Sequence, residues 1–339
     1  MSRLPGRTIK VSVIVPCYNS EAFLVKCLDS LVNQTLADIE IICINDASPD
    51  NGIEILRRYE REHPGKVLVI DLPENQRQGG ARNEGMMRAR GEYIGFVDPD
   101  DWVALNMYES LYTVAHDKDA DIVSSKLCRT ETRGDVKANP LSGVVTGGRL
   151  SDEERENIIL FDGVMVLHSI YRRRLIIDNG LMFPRHLIYE DMVWSPIVKL
   201  YAESMYQIDR EFYFYWLNPE SGMHKRDSKL QYDRLKVFPM LITEVKKRGL
   251  YERFKDALDY RFICMYYISP VFAFVDKMSE VELDKLYEMR LHMCSNMPDY
   301  RKNRYLIQRL KNPPAGYVNM ALMEIDPELV IEYMKTLVL

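Results

Sequence analysis

The sequence predicts an α/β protein whose mostly parallel sheet is flanked by helices and followed by a helical C-terminal extension. Short runs rich in Val and Ile alternate with helical patterns over about the first hundred residues, which is typical of βαβ units. From about residue 227 onward, long helical patterns follow one another without strand-like segments. The length of 339 residues corresponds to about two domains.

The N-terminal strands and helices are predicted to alternate in order. Short apolar runs indicate four buried parallel strands, over residues 11–16, 39–46, 67–72 and 93–98. Ser20 is expected to cap the first helix, in which apolar residues recur at helical spacing. Ser48 followed by Pro49 indicates the start of the second helix. A third helix is expected over 80–90.

The rest of the chain is predicted to change from mixed to helical structure. Ser151 and Glu154 form a capping-box pattern that indicates the start of a helix. A domain boundary is placed after residue 226, where the strand-like runs stop. The other predicted elements are a helix over 102–115, a strand over 121–126, a loop over 130–148 and helices over 230–248 and 251–273.

Composition and charge exclude several classes of protein. Hydrophobic residues make up 47% and charged residues 28% of the chain, which argues against disordered and collagen-like proteins. The formal net charge of −5 argues against a nucleic-acid binder. The six cysteines are scattered without a C-x-x-C pair, so we expect reduced thiols in a cytoplasmic protein. We expect no signal peptide and no membrane span, since the longest apolar run, 262–275, is too short.

Three carboxylates follow the fourth predicted strand, at Asp98, Asp100 and Asp101. Ligands of open parallel sheets bind beyond the carboxyl ends of the strands. Three acids within four residues repel one another unless a cation neutralises them, and Mg²⁺ and Mn²⁺ prefer such oxygen ligands. The alternative is a turn that caps a helix beginning at Trp102.

Four segments in succession resemble the motifs of inverting family 2 glycosyltransferases of GT-A fold. They read VSVIVPCYN at 11–19, ICINDASPD at 42–50, ARNEG at 81–85 and FVDPDDW at 96–102. The resemblance covers roughly the first 220 residues. It implies a GT-A catalytic domain over 1–226, with a nucleotide-sugar half over about 1–102 and an acceptor half over about 103–226. Residues 227–339 are then the helical extension.

The resemblance also implies which residues hold the donor. In this family a nucleotide-diphospho-sugar lies across the sheet edge, and a divalent metal, Mn²⁺ or Mg²⁺, holds its diphosphate. Asp100 is the implied principal metal ligand, and Asp98 lies near the ribose or the metal. The implied nucleotide contacts are Pro16, Tyr18, Asn19, Asp46 and Arg82. For Arg82 the alternative is a solvated arginine on a helix.

Two positions depart from the family pattern. Ala47 stands where the family commonly has glycine after the second strand. Gln76 and Arg77 follow Asn75, where family members often read N-x-G. Arg77 therefore leaves the usual backbone conformation of that turn open and offers a cation near the phosphates.

The segment LIYEDMVW at 187–194 is similar to the Glu-Asp motif that supplies the catalytic base in this family. Inverting transfer needs a group that deprotonates the attacking hydroxyl. The resemblance implies Asp191 as that base and Glu190 as the neighbour that positions it or contacts the acceptor. The alternative is that both acids complement the dipole in the first turn of a helix.

A cationic segment follows the last strand-like run, at His224, Lys225 and Arg226. Positive charge near a departing diphosphate would stabilise the leaving group, which is the role expected for Lys225 and Arg226. His224 is a candidate metal ligand, as a late histidine is in some GT-A enzymes. The alternative is a solvated linker between domains.

The resulting expectation is a metal-dependent inverting glycosyltransferase of hexosyl or N-acetylhexosaminyl type. Its donor is expected to be a UDP-sugar and its acceptor a hydroxyl of a glycan or lipid-linked carrier in surface polysaccharide assembly. The expected location is the cytoplasm, with peripheral association at the inner face of the membrane left open. Two alternatives are a catalytically silent scaffold of the same fold and a dinucleotide-dependent oxidoreductase. The oxidoreductase predicts G-x-G-x-x-G after the first strand, where the sequence reads PCYNS.

Overall fold

The computed structural model describes residues 8–132, 145–161, 163–218, 232–268 and 282–311. The chain divides into two compact units. The first unit comprises Met1–Ser151 and Val164–Asn218, and the second comprises Asp152–Gly163 and Pro219–Leu339. The predicted boundary after residue 226 lies outside the described residues, and the division into a catalytic domain and a helical extension stays a prediction.

The N-terminal half of the first unit is a βαβ arrangement, as predicted. Its parallel strands are β1 (Val11–Cys17), β2 (Ile39–Asn45), β3 (Val67–Asp71) and β4 (Tyr93–Phe96). Its helices are α1 (Glu21–Val32), α2 (Gly52–Glu62) and α3 (Arg77–Arg88). Strands β1 and β2 are buried along their whole length, which explains why the sequence shows them as continuous apolar runs.

The second half of the unit extends the same sheet with mixed pairing. Its helices are α4 (Met107–Asp117), α6 (Arg173–Asp178) and α7 (Asp191–Tyr201). Helix α5 (Asp152–Phe161), which lies between α4 and α6 in the chain, belongs to the second unit. Its strands are β5 (Trp102–Val103), β6 (Ile122–Thr130), β7 (Val145–Arg149), β8 (Ser169–Arg172) and β9 (Ser204–Trp216). The strand order is β3-β2-β1-β4-β8-β6-β9-β5, and β7 pairs with β9. The predicted α/β class is therefore confirmed.

Three local predictions were wrong. Asn51, and not Ser48, occupies the N-cap position of helix α2, where its side chain makes no capping hydrogen bond. The hydroxyl of Ser48 donates to Asp50 and accepts the Asn19 N–H. Trp102 lies in strand β5 and not at a helix start. The predicted loop over 130–148 contains most of strand β7, and residues 133–144 lie outside the described residues.

An aromatic cluster in the core fixes helix α7 against the sheet. Trp194 of α7 stacks on Phe183 at 4.4 Å between ring centroids and meets the edges of Phe96 and Tyr171 at 5.7 and 5.0 Å. Its indole N–H donates to the carbonyl oxygen of Leu181 at 3.0 Å. Buried aromatic contacts of this kind are strongly stabilising, so the start of α7 is held rigidly beside β4.

The described part of the second unit is helical. Helix α5 packs within it, since Arg304 and Tyr305 bond the Glu156 carboxylate and Arg261 donates to the carbonyl oxygen of Ile159. The other helices are α8 (Arg234–Lys247), α9 (Lys255–Phe262), α10 (Leu283–Asn296) and α11 (Arg304–Lys311). Within the described ranges of both units, no helix is long and apolar enough to cross a membrane. All six cysteines are free thiols.

Candidate active site

The register of the parallel strands brings their carboxyl ends to one edge of the sheet. Cys17 at the end of β1 lies opposite Asn45 at the end of β2, and Asn45 lies opposite Asp71 at the end of β3. Strand β4 pairs with β1 so that Phe96 lies opposite Ile14. The residues that follow these strands therefore share one edge, which is where open sheets bind ligands.

The predicted nucleotide contacts after β1 have different surroundings. Pro16 is buried within the strand, whereas the Tyr18 side chain is 45% exposed at the edge. Asn19 has a left-handed backbone with φ of 48°, and its N–H donates to the Ser48 hydroxyl at 2.9 Å. The polar side chains at 18 and 19 thus border the edge, and Pro16 forms its buried base.

Asp46 organises the turn that leads into α3. Its carboxylate accepts the Gln76 N–H at 2.7 Å, and its carbonyl oxygen accepts the Asn75 side-chain amide at 3.2 Å. Burial raises the pKa of Asp46, although the N–H groups of Gln76 and Arg77 act in the opposite direction. The predicted nucleotide contact is therefore a largely buried carboxylate that also fixes the shape of its own loop.

Both departures from the family pattern have left-handed backbones. Ala47 has φ of 51° and Arg77 has φ of 63°. Glycine adopts this conformation without cost, while other residues pay roughly 1–2 kcal/mol. The turns at these two positions are thus kept despite the missing glycines, and the conformation at Arg77 is settled as left-handed.

The DPDD segment is a turn in which Asp101 is the buried member. Its carboxylate accepts the Tyr213 hydroxyl at 2.7 Å and the Trp216 N–H at 2.8 Å. Tyr213 in turn accepts the Asp98 N–H at 3.1 Å. Asp101 therefore fastens strand β9 beneath the turn. Burial, followed by the charges of Asp100 and Asp98, raises the pKa of Asp101 to about 8.

The donor set suits a hard divalent cation. Asp100 is partly exposed, and the side-chain amide of Asn218 lies 3.5 Å from its carboxylate. Burial is the main cause of the raised pKa of Asp101, and the negative charges of Asp100 and Asp98 raise it further. A cation bound beside these carboxylates would neutralise that charge. Within the described ranges, no group of three or more His, Cys, Asp or Glu side chains is arranged to hold a metal ion. Mg²⁺ and Mn²⁺ sites commonly use one or two carboxylates and complete their shell with substrate phosphates.

Arg82 connects the two predicted halves of the site. One terminal nitrogen donates to the Asp98 carboxylate at 2.8 Å, and the other donates to the Glu190 carboxylate. Arg82 is 3% exposed, so the alternative of a solvated helix arginine is wrong. Burial opposes its charge, but the pKa of Arg82 is still raised because Asp98, Glu190 and Asp191 surround it.

Glu190 and Asp191 lie at the start of α7, where Glu190 is the N-cap residue. Burial raises the pKa of Glu190, while Arg82 opposes the rise. Withdrawal from water and the charge of Glu190 raise the pKa of Asp191 to about 7. Both acids lie at a helix start, as the alternative predicted, and their raised pKa values show that burial disfavours their charged forms there. A carboxyl group that titrates near neutral pH is suited to general-base catalysis.

Sequence reasoning missed the contacts that bring these acids to the sheet edge. The Asn83 side chain donates to the Phe183 carbonyl oxygen and accepts the Phe183 N–H, both at 2.9 Å. A Cβ at Gly79 would lie 2.1 Å from the Pro184 carbonyl oxygen and 3.0 Å from the Glu190 side chain. The ARN motif was the available signal, although a motif does not reveal a partner 100 residues away. His224, Lys225 and Arg226 lie outside the described residues.

Comparisons with known proteins agree with this geometry. Residues 12–170 match the model of glycosyl transferase family 2. The Uncharacterized glycosyltransferase YibD of Escherichia coli is 33% identical over 242 residues, which cover 67% of this chain and 68% of that protein. The Poly(ribitol-phosphate) beta-glucosyltransferase of Bacillus spizizenii is 30% identical over 223 residues. That match covers 64% of this chain and only 33% of the longer relative.

A solved structure shows the same architecture. The crystal structure of S. aureus TarS 1-349 in complex with UDP is 25% identical to this chain and superposes with a TM-score of 0.62. The match covers 79% of this chain and 75% of that one. The chain therefore belongs to glycosyl transferase family 2, and it has the GT-A fold of these enzymes.

Proposed function

We propose that the protein is a metal-dependent inverting glycosyltransferase that moves a sugar from a UDP-sugar to a hydroxyl group of a glycan or lipid-linked carrier. The main support for this proposal is that one arginine, Arg82, bonds a carboxylate on the donor side and a carboxylate on the acceptor side. Asp98 follows the sheet edge on the donor side, Glu190 precedes the proposed base on the acceptor side, and Arg82 bonds both.

The donor would lie across the ends of β1, β2 and β4. Asp100, with Asp98, would hold Mn²⁺ or Mg²⁺, which when bound neutralises the diphosphate and stabilises it as a leaving group. Asp46 would accept an N–H of the base, and Tyr18 and Asn19 would border it together with Pro16. Lys225 and Arg226 would add positive charge near the diphosphate, with His224 as a further metal ligand.

The acceptor side supplies the proton chemistry. Asp191 takes the proton of the acceptor hydroxyl while that oxygen bonds to the anomeric carbon from the face opposite the diphosphate. The bond between the anomeric carbon and the diphosphate oxygen breaks in the same step, and the configuration inverts. A pKa of about 7 suits a base that works near neutral pH. Glu190 is held by Arg82 and orients the start of α7.

The acceptor class is proposed from the relatives. One of them is named as a glucosyltransferase acting on poly(ribitol-phosphate), which supports a polymeric or carrier-linked acceptor in surface polysaccharide assembly. The free thiols of all six cysteines support a reducing compartment. We therefore place the reaction in the cytoplasm, at the inner face of the membrane where the acceptor is lipid-linked.

The donor assignment is tested by binding and by product release. Calorimetry is expected to show UDP binding that requires Mn²⁺, and incubation with a panel of UDP-sugars is expected to release UDP from at least one. Asp100→Asn should abolish the metal-dependent part of UDP binding, because the diphosphate and Asp98 would then repel. Asp209→Asn, at an exposed position paired with Lys126, is the control. Equal UDP affinity with and without metal would remove the metal from the mechanism.

A further inference from the structure

Arg82 has the surroundings of a structural group and not those of a ligand contact. Its guanidinium is 3% exposed and lies 5.5 Å from the ring centre of Phe183. Its terminal nitrogens are used by Asp98 and Glu190. The remaining nitrogen, Nε, is buried and makes no hydrogen bond. A nucleotide could therefore reach this side chain only if one of its two ion pairs broke.

The two acids that share Arg82 come from distant parts of the chain. Asp98 is 16 residues away and follows β4, whereas Glu190 is 108 residues away and caps α7. Burial, and to a smaller extent the charge of Asp98, raises the pKa of Glu190, and the charge of Arg82 opposes this rise. The Arg82 guanidinium lies between these two carboxylates, and its positive charge offsets their mutual repulsion.

Helix α3 adds rigidity on both sides of Arg82. Asn83 binds the Phe183 backbone through two hydrogen bonds, and Gly79 permits close approach of Pro184 and Glu190. Buried hydrogen bonds of this kind hold a loop in one arrangement. Helix α3 thus contacts both the segment before α7, at Phe183 and Pro184, and the N-cap residue of α7, Glu190.

We propose that Arg82 is a positioning residue that fixes the acceptor acids Glu190 and Asp191 relative to the donor carboxylate Asp98, and that it does not contact the nucleotide. The role rests on the proposed function, since Asp191 is taken as the base. In this role, loss of Arg82 lowers kcat because Glu190 and Asp191 are displaced, while the affinity for the donor changes little.

The charge of Arg82 gives the role a measurable signature. Besides burial, which raises the pKa of Asp191 most, the negative charges of Glu190 and Asp98 raise it. The positive charge of Arg82 and the Met192 N–H lower it. Loss of that positive charge is therefore expected to raise the pKa of Asp191 further. The acidic limb of the kcat profile should then move to higher pH by about 1 unit.

The experiment compares Arg82→Gln and Arg82→Lys with matched changes at Arg172. Arg172 is also buried and bonds two acids, Asp119 and Asp121, but it pairs with the opposite, amino end of β4. UDP affinity with Mn²⁺, kcat and its pH profile are measured for each variant. Arg82→Gln is expected to lower kcat about 10²-fold, keep UDP affinity within about threefold and shift the acidic limb.

Arg82→Lys keeps the charge but lacks the planar pair of terminal nitrogens that bonds one acid on each side, so kcat is expected to fall while the acidic limb of the pH profile stays in place. This variant keeps the test available if Arg82→Gln does not fold. The Arg172 variants are expected to lower thermal stability without moving the limb. A loss of UDP affinity that matches the loss of kcat, with an unmoved limb in Arg82→Gln, would overturn the proposal and make Arg82 a nucleotide contact.

Carboxyl NMR separates this proposal from the proposed function. The Asp191 resonance, assigned by its absence in Asp191→Asn, is titrated in the parent and in an Arg82 variant. A higher pKa in Arg82→Gln than in the parent and in Arg82→Lys supports the positioning role even if no UDP-sugar is turned over. An unchanged pKa in Arg82→Gln contradicts it, whether or not the parent is an active transferase.

Discussion

Replacing Asp191 by Asn is expected to stabilise the first unit at neutral and alkaline pH, although it removes the proposed base. Withdrawal from water and the charge of Glu190 raise the pKa of Asp191 from 3.8 to about 7 in the folded protein. Between these pH values the folded state keeps a proton that the unfolded chain has released, so stability falls as pH rises through the window. The variant lacks this titration, and its advantage over the parent should grow over the same window.

The size of the effect follows from the two pKa values. At 1.36 kcal/mol per pH unit, the difference between 3.8 and about 7 corresponds to about 4 kcal/mol for a fully buried, isolated group. Asp191 is partly exposed and titrates together with Glu190, so we expect about half of that value. The variant should gain about 2 kcal/mol at about pH 8 and less than about 1 kcal/mol at about pH 5.

Tryptophan fluorescence measures this effect in the first unit alone, because Trp102, Trp194 and Trp216 all lie there. Urea unfolding of parent and variant is followed at several pH values without added metal. Asp209→Asn is the matched control: its pKa is lowered by hydrogen bonding to Lys126, so that variant should gain no stability as pH rises. Equal stability of Asp191→Asn and the parent at about pH 8 would contradict a raised pKa of Asp191 in the folded protein.

Two further substitutions test packing near the site. Gly79→Ala should push the Pro184 carbonyl away from α3, lowering stability by about 1–3 kcal/mol and kcat by at least about tenfold. Gly148→Ala is the control and should be neutral, because a Cβ there meets open space. Equal urea midpoints for the two variants would contradict the contact between Gly79 and Pro184. Tyr108→Phe should raise stability by about 1 kcal/mol, because the buried Tyr108 hydroxyl has no hydrogen-bond partner. Tyr93→Phe should instead lower stability, because the Tyr93 hydroxyl donates to the carbonyl oxygen of Ala120 at 2.8 Å. A lower urea midpoint for Tyr108→Phe than for the parent would show that the Tyr108 hydroxyl is bonded.

Most of the parallel half of the sheet could be predicted because strands β1, β2 and β4 are buried along their whole length. Strands β1 and β2 therefore consist almost entirely of apolar residues, and their ends lie within one residue of the predicted bounds. It was harder to predict which hydrogen-bond partner a polar side chain near a helix start would choose. Ser48 looked like a helix cap, but its hydroxyl bonds Asp50 and Asn19, and Asn51 occupies the N-cap position.

The candidate site was predictable as a set of residues but not as a network. The motifs indicated Asp98, Arg82 and Glu190 separately, while their bonding depends on a fold that brings together positions 108 residues apart. The backbone at Ala47 and Arg77 shows the same limit. Neither residue type favours φ above zero, yet both adopt it in the structure. No sequence signal showed that helix α5 packs with the second unit.

The most direct test of the central claim is to measure UDP affinity and UDP release for Asp100→Asn and Asp191→Asn side by side. We expect Asp191→Asn to bind UDP with Mn²⁺ like the parent but to release UDP from a UDP-sugar about 10²–10⁴-fold more slowly, because it cannot take a proton. We expect Asp100→Asn to fail earlier, through lost UDP binding. Transfer at the parent rate by Asp191→Asn would contradict the account and make Glu190 the next candidate for the base.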